Sequence, residues 1–148
     1  MLSVRESLIK LLKEQTGLEV YYYMPPVNVS VSMPLLVLEE VENTDRFYRF
    51  YEDDTEQEIT DVTYEVSIYS NSPMDLFVFV EIVDKIMKRA GFKKTYTSGD
   101  NHVEPLYCKT IRFTGKITLN KQNGNYMIYG WPRKDDINYG YVIGKNKS

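Results

Sequence analysis

The chain has one cysteine, one histidine and one tryptophan in 148 residues. A lone cysteine, Cys108, excludes an internal disulfide and fits a reducing compartment. With only His102 beside it, a tetrahedral zinc site would need two further ligands from unpatterned carboxylates, so no metal centre is expected. No apolar run approaches the roughly 20 residues that span a bilayer. The opening Met1-Leu2-Ser3-Val4-Arg5-Glu6 carries a charge pair where a secretory leader needs a basic start and an apolar core, so export by that route is not expected. Lysines and arginines are spread along the sequence, the net charge is −3 and the pI is about 5.3. That balance argues against tight sequence-independent nucleic-acid binding, which needs clustered cations to displace counterions. The glycines at 115, 124, 130, 140 and 144 match no phosphate-cradling motif. There are no internal repeats and no low-complexity tract.

What is present reads as one domain long enough for a sizeable core. The hydrophobic share is 43%, the charged share 26%, and the mean hydropathy −0.40, all ordinary for a globular chain. Thirteen tyrosines stand out. Tyrosine favours strands and is enriched at interfaces, so the count suggests a sheet-rich protein that meets partners.

The most legible stretch is Asp61 to Phe92. Val62, Tyr64, Val66 and Ile68 alternate with Thr63, Glu65 and Ser67, which predicts a strand with one buried face. Tyr69-Ser70-Asn71 leads into Ser72-Pro73-Met74-Asp75, where Ser72 is the expected N-cap, Pro73 the first helical residue and Asp75 the partner of a capping box. Leu76, Phe79/Val80, Val83 and Ile86/Met87 recur at helical spacing, and Gly91 is placed to stop the helix. Earlier, Ser3 and Glu6 form a second capping box before the stripe Val4, Leu8, Leu11/Leu12, which ends before Gly17. Leu18, Val20 and Tyr22 alternate into a short strand closed by Pro25-Pro26. Val27 to Ser32 reads as an edge segment or extended loop. Leu35 to Leu38 reads as a strand buried on both faces, with Glu39 to Glu42 carrying it out to solvent.

Arg46 to Tyr51 is a further strand, and Gln57 onward returns, so the pair reads as an antiparallel hairpin with an acidic tip. After the second helix, Thr97 to Asn101 is a loop by composition. Tyr107 to Leu119 is a strand with Ile111, Phe113, Ile117 and Leu119 on one face and Thr110, Arg112, Thr114, Lys116 and Thr118 on the other. Asn123-Gly124 signals a hairpin returning through Tyr126 to Tyr129. The order α-β-β-β-β-α-β-β predicts an α+β fold, a mainly antiparallel sheet with both helices on one face. Residues 1–122 form the main unit, and 123–148 form a hairpin extension and tail, part of that unit or ordered by a neighbour.

Few constellations offer chemistry. A Cys108–His102 nucleophilic pair would need both side chains in hydrogen-bond reach and a third orienting group. His102 lies in a segment that reads as a polar loop, and Cys108 on a strand reads as a small buried hydrophobe. Glu52, Asp53, Asp54 and Glu56 supply carboxylates without calcium-loop spacing or its central glycine. They read as a solvated hairpin tip, with a role facing a neighbour or repelling a polyanion left open. Phe47 to Tyr51 with Arg46 and Arg49 could stack bases, yet beside an acidic tip sheet packing is favoured. Past Trp131-Pro132 the chain turns polar, with Tyr139 and Tyr141 among its few apolar anchors. The candidate interface or lumen residues are therefore Phe47, Tyr51, Glu52, Asp53, Asp54, Glu56, Trp131, Tyr139 and Tyr141. No cofactor and no catalytic residue is expected.

Several phrases taken together resemble a known family. They are the Val4–Leu12 helix, Thr16-Gly17-Leu18-Glu19-Val20-Tyr21-Tyr22 with prolines just after, and Pro34-Leu35-Leu36-Val37-Leu38. Then come the Val62–Tyr69 strand passing through Asn71-Ser72-Pro73 into a helix, Ala90-Gly91-Phe92, and the Lys109–Leu119 strand. Over roughly residues 2–120 the chain resembles the tail-terminator (tail-completion, head-tail joining) proteins of long-tailed bacteriophages and prophages. Val27–Ser32 and everything after Gln122 look like additions. The resemblance implies a non-enzymatic virion protein assembled in the host cytoplasm. Such subunits form a homo-oligomeric ring, commonly a hexamer, that caps the tail tube, docks to the head connector and lets DNA pass without specific binding. Another head-tail connector or tail-tube component is the neighbouring alternative. A small α+β enzyme or ligand-binding protein is the alternative of a different class.

Overall fold

The computed structural model describes residues 2–23, 33–50, 55–103, 106–120 and 125–128. Two helices and seven strands follow in order: α1 (Leu2–Thr16), β1 (Val20–Tyr22), β2 (Leu35–Phe50), β3 (Thr55–Ser70), α2 (Pro73–Arg89), β4 (Lys93–Thr97), β5 (Asn101–Val103), β6 (Leu106–Asn120) and β7 (Asn125–Ile128). The strands form one sheet in the order β1-β2-β3-β6-β4, and β5 and β7 also pair with β6. Among the described residues only β1–β2 is parallel; the other pairings are antiparallel. This is the expected α+β class.

Both helices cover one face of the sheet. Val4, Leu8, Leu11 and Leu12 of α1 and Leu76, Val83, Ile86 and Met87 of α2 share a core with Leu36, Leu38, Val62, Tyr64, Val66, Ile68, Ile111, Phe113 and Ile117. Period two in the strands and period 3.6 in the helices produce this single apolar layer. Leu35, Val37 and Cys108 are buried outside that cluster. Leu35 and Leu36 are 1% and 0% exposed, so the expected burial of this segment on both faces holds.

The helix ends follow their glycines. Gly17 has φ +73° and its N–H donates to the Lys13 carbonyl at 2.9 Å. At the end of α2, Gly91 has φ +94°, its N–H reaches the Lys88 carbonyl at 3.0 Å, and the Phe92 N–H reaches that of Met87 at 2.9 Å. That paired closure is the Schellman arrangement, which satisfies two otherwise orphaned carbonyls. Phe92 then folds back into the core and meets Tyr64 edge-on, with ring centroids 5.9 Å apart.

The helix starts differ from the expectation. α1 already includes Ser3, so its first turn does not begin after that residue. Ser72 is the N-cap of α2 by backbone conformation, but its side chain makes no capping hydrogen bond. The buried Ser70 instead ties the preceding turn to the first turn of the helix. Its hydroxyl donates to the Asp75 carboxylate at 2.7 Å and accepts the Ser72 N–H at 3.1 Å.

Two expected strands are one. β2 runs unbroken from Leu35 to Phe50 rather than ending after Glu39–Glu42, where Val41 is exposed. An irregularity between Glu40 and Glu42 absorbs one residue, and pairing with β3 continues to Phe50↔Thr55. β4, absent from the sequence reading, is exposed at all five positions and occupies the sheet edge. β7 pairs Asn125–Ile128 with Ile117–Asn120, as the hairpin expectation required, while Asn123-Gly124 and Val27–Ser32 lie outside the described residues.

Candidate functional site

Cys108 and His102 occupy neighbouring strands, β6 and β5, so His102 belongs to a strand and not to a loop. The register pairs His102 with Tyr107 and Asn101 with Cys108. Because side chains alternate across a sheet, His102 and Cys108 point to opposite faces and cannot form a nucleophile–base pair. His102 stacks on Tyr107 with centroids 4.6 Å apart. Cys108 is buried, and burial raises its thiol pKa even though hydrogen bonds from Tyr69 and Thr110 act the other way. A thiol held protonated is a poor nucleophile.

The face of β3 and β6 that carries no helix is a ladder of matched pairs. Asp61 meets Lys116 at 3.2 Å, Thr63 meets Thr114 at 2.7 Å, Glu65 meets Arg112 at 3.2 Å and Ser67 meets Thr110 at 2.9 Å. The Arg112 guanidinium also lies 5.4 Å from the centre of the Tyr96 ring. Each polar group is answered from the opposite strand, so the ladder fixes register rather than presenting a converged acid, base and nucleophile. Among the described residues no group of three or more His, Cys, Asp or Glu side chains could hold a metal ion.

The outer face of α2 is different. Met74, Phe77 and Val78 are 67%, 68% and 44% exposed, and the spacing i, i+3, i+4 lines them along one stripe. One turn past Glu81 the same face becomes cationic through Lys85, Lys88 and Arg89, all exposed. Lys94 joins from β4, because the Asp84 carboxylate holds Lys88 at 2.9 Å and Lys94 at 3.9 Å. The sequence spreads its basic residues, yet the turn from α2 into β4 gathers four of them. The core-facing positions of α2 alone give no sign of this stripe. Its signal is the unbroken apolar run Leu76 to Val80, which is wider than one buried face requires.

The residues singled out from sequence fall mostly elsewhere. Phe47 lies in β2 opposite Glu58, and Glu56 lies in β3 opposite Arg49. Tyr51, Glu52, Asp53 and Asp54 connect those strands and lie outside the described residues, as do Trp131, Tyr139 and Tyr141. The strands around that connection project beyond the core. β6 pairs with β3 only from Ile59 onward, so among the described residues Phe47–Phe50 and Thr55–Glu58 pair only with each other. Comparison with protein-family models and with curated proteins finds no match for this chain.

Proposed function

We propose that this chain is a structural subunit of a long-tailed phage or prophage particle, assembling into a ring that terminates the tail tube and joins it to the head connector. The reading is supported first by the resemblance of residues 2–120, whose elements fold into one α+β layer. The observation that carries it is the α2 stripe. Three large apolar side chains on one helix face contribute nothing to the core of their own chain, and such patches mark contact surfaces.

A ring follows when one surface of a subunit meets a different surface of the next and the rotation closes. An acidic chain arranged around a channel presents like charge to passing DNA and keeps it from adhering. The ladder on the open face locks the sheet, as a load-transmitting subunit requires.

Two measurements test this. Light scattering of the purified chain over a concentration series should give a fixed multiple of 17.4 kDa, with a closed ring in electron micrographs. In the phage or prophage that encodes it, deletion should release tube growth from its set length and leave heads without tails. A monomer at every concentration, or normal particles after deletion, would overturn the reading.

A further inference from the structure

We infer that copies of this chain join through the two open edges of the sheet, β4 of one copy pairing antiparallel with β1 of the next. The inference rests on the ring reading and deepens it by naming the contact. In the order β1-β2-β3-β6-β4 these strands are the two outer members. Along β1, the Leu36 N–H donates to the Glu19 carbonyl at 3.0 Å and the Tyr23 N–H to the Leu38 carbonyl at 2.8 Å. Glu19 and Tyr23 therefore turn their backbone toward β2, and by alternation Val20 and Tyr22 turn theirs outward. At the other edge the Ser98 N–H donates to the Thr110 carbonyl at 2.8 Å, so Thr97 turns outward. Among the described residues no strand pairs with either outward row.

Polarity and facing agree. β1 is parallel to β2, and three antiparallel pairings then lead to β4, so β1 and β4 run in opposite directions. A neighbour with its helices on the same side presents its β1 antiparallel to β4. The outward residues also share a face: Val20 and Tyr22 are level with the core residues Leu36 and Leu38, and Thr97 with the core residue Ile111. Setting Thr97 opposite Val20 of the next copy keeps the pairing within both strands and brings Tyr96 against Tyr21 of that copy. Both tyrosines lie on the helix-free face, level with Arg112 and Val37, where Tyr96 is 51% exposed and Tyr21 half-buried. Cross-strand aromatic pairs stabilise such a junction. α1 packs on β1 and α2 on β4, so the helical layer also continues from copy to copy.

Lysines and bulges commonly guard an edge. Here the bulge falls between Lys94 and Tyr96, before Thr97, and Asp84 draws Lys94 toward α2 at 3.9 Å. What Lys93 and Lys94 oppose is β4 against β4, where like charges would meet. β1 has no charged residue, so β4 against β1 avoids that repulsion. Pairing β1 with β1 about a two-fold axis would stop at a dimer and leave β4 exposed at all five positions. Two different edges make a head-to-tail contact, the kind that closes into rings.

The test is disulfide trapping in a Cys108→Ser background. Tyr96 and Tyr21 of the next copy form the closer, non-hydrogen-bonded kind of pair, with Cα atoms about 4.5 Å apart and within disulfide reach. Within one chain the same positions are four strand spacings, roughly 19 Å, apart. Under a mild oxidant, Tyr21→Cys with Tyr96→Cys should give a ladder of covalent oligomers on a non-reducing gel, ending at the mass that light scattering gives for the parent. Either cysteine alone should give no oligomer. Thr97→Pro removes an outward N–H that its own sheet does not use, and should weaken assembly at least about tenfold with the melting temperature unchanged. A dimer from Tyr21→Cys alone would establish the two-fold β1 contact and overturn the inference. So would a double-cysteine variant that assembles yet gives no ladder, or a Thr97→Pro variant that assembles like the parent. A parent that is monomeric at every concentration brings down the ring reading and the inference together.

Discussion

The ring of Phe92 occupies the place a side chain at position 115 would take. A Cβ built on Gly115 would stand 2.7 Å from the Phe92 Cδ1 and 2.8 Å from its Cε1. Both residues are buried, and Tyr64 meets the ring edge-on with centroids 5.9 Å apart. Gly115→Ala should therefore cost about 1–3 kcal/mol through overpacking. Urea unfolding read by circular dichroism measures it; a variant as stable as the parent would mean that the ring moves freely.

Ser70 and Ser72 separate two accounts of how α2 begins. Ser70→Ala removes both hydrogen bonds of a fully buried hydroxyl and should cost about 1–3 kcal/mol. Ser72→Ala removes no capping bond and should stay within about 0.5 kcal/mol of the parent. Equal losses in the two variants would return the cap to Ser72.

Val83 faces the core with no exposed surface. Val83→Asp buries a carboxylate among α2, β3 and β6, and the chain should fail to fold or lose several kcal/mol. A cooperative thermal transition at the parental temperature would show that the helix presents another face.

Alkaline pH should loosen the fold through tyrosine. Burial first, and Cys108 second, push the Tyr69 phenol up to about 12. Burial first, and Glu40 second, push Tyr64 higher still, and its hydroxyl donates to the Glu40 carboxylate at 3.1 Å. Unfolded tyrosines release their protons near pH 10, so above that pH the folded state binds more protons and stability falls as pH rises. The contribution is complete below about pH 10. Tyr69→Phe should flatten the fall of the urea midpoint between about pH 10 and 12. An unchanged slope would remove Tyr69 from the account.

His102→Ala and Cys108→Ser should leave any assembly intact. The first loses a stacking contact with Tyr107 on the surface, and the second a small buried group. Loss of function in His102→Ala with an unchanged fold would reopen the enzymatic alternative.

The helices and β3 were legible because their apolar residues repeat at the period of the element. β4 was not, since Lys93-Lys94-Thr95-Tyr96-Thr97 buries nothing and so carries no alternation. The sequence reads β2 as two strands because Glu39 and Glu42 look like an exit to solvent. Their backbone instead pairs with Glu65 and Thr63 across a sheet whose second face is polar. His102 reads as loop because Asp100 and Asn101 are turn-formers, whereas β6 offers an edge long enough to pair with it. Ser70 carries no such signal, because capping patterns concern the residue next to the helix. The candidate site was the least legible part: an exposed stripe has no periodic partner, and only the folded chain brings Lys94 beside Lys88.

The length of β3 also dictates an order of events during synthesis. Its edge from Ile59 to Ser70 is completed by β6, whose pairing residues begin at Tyr107 and end at Thr118. Everything from Asn71 to Leu106 must leave the ribosome before that edge begins to close. At translation rates of about 5–20 residues per second, twelve strand positions stay open for at least two to seven seconds. Of the two helices that cover the apolar face of β3, α1 is already complete when the strand emerges and α2 joins it within that interval, while the strand's edge stays open to pairing with a neighbour on the same message.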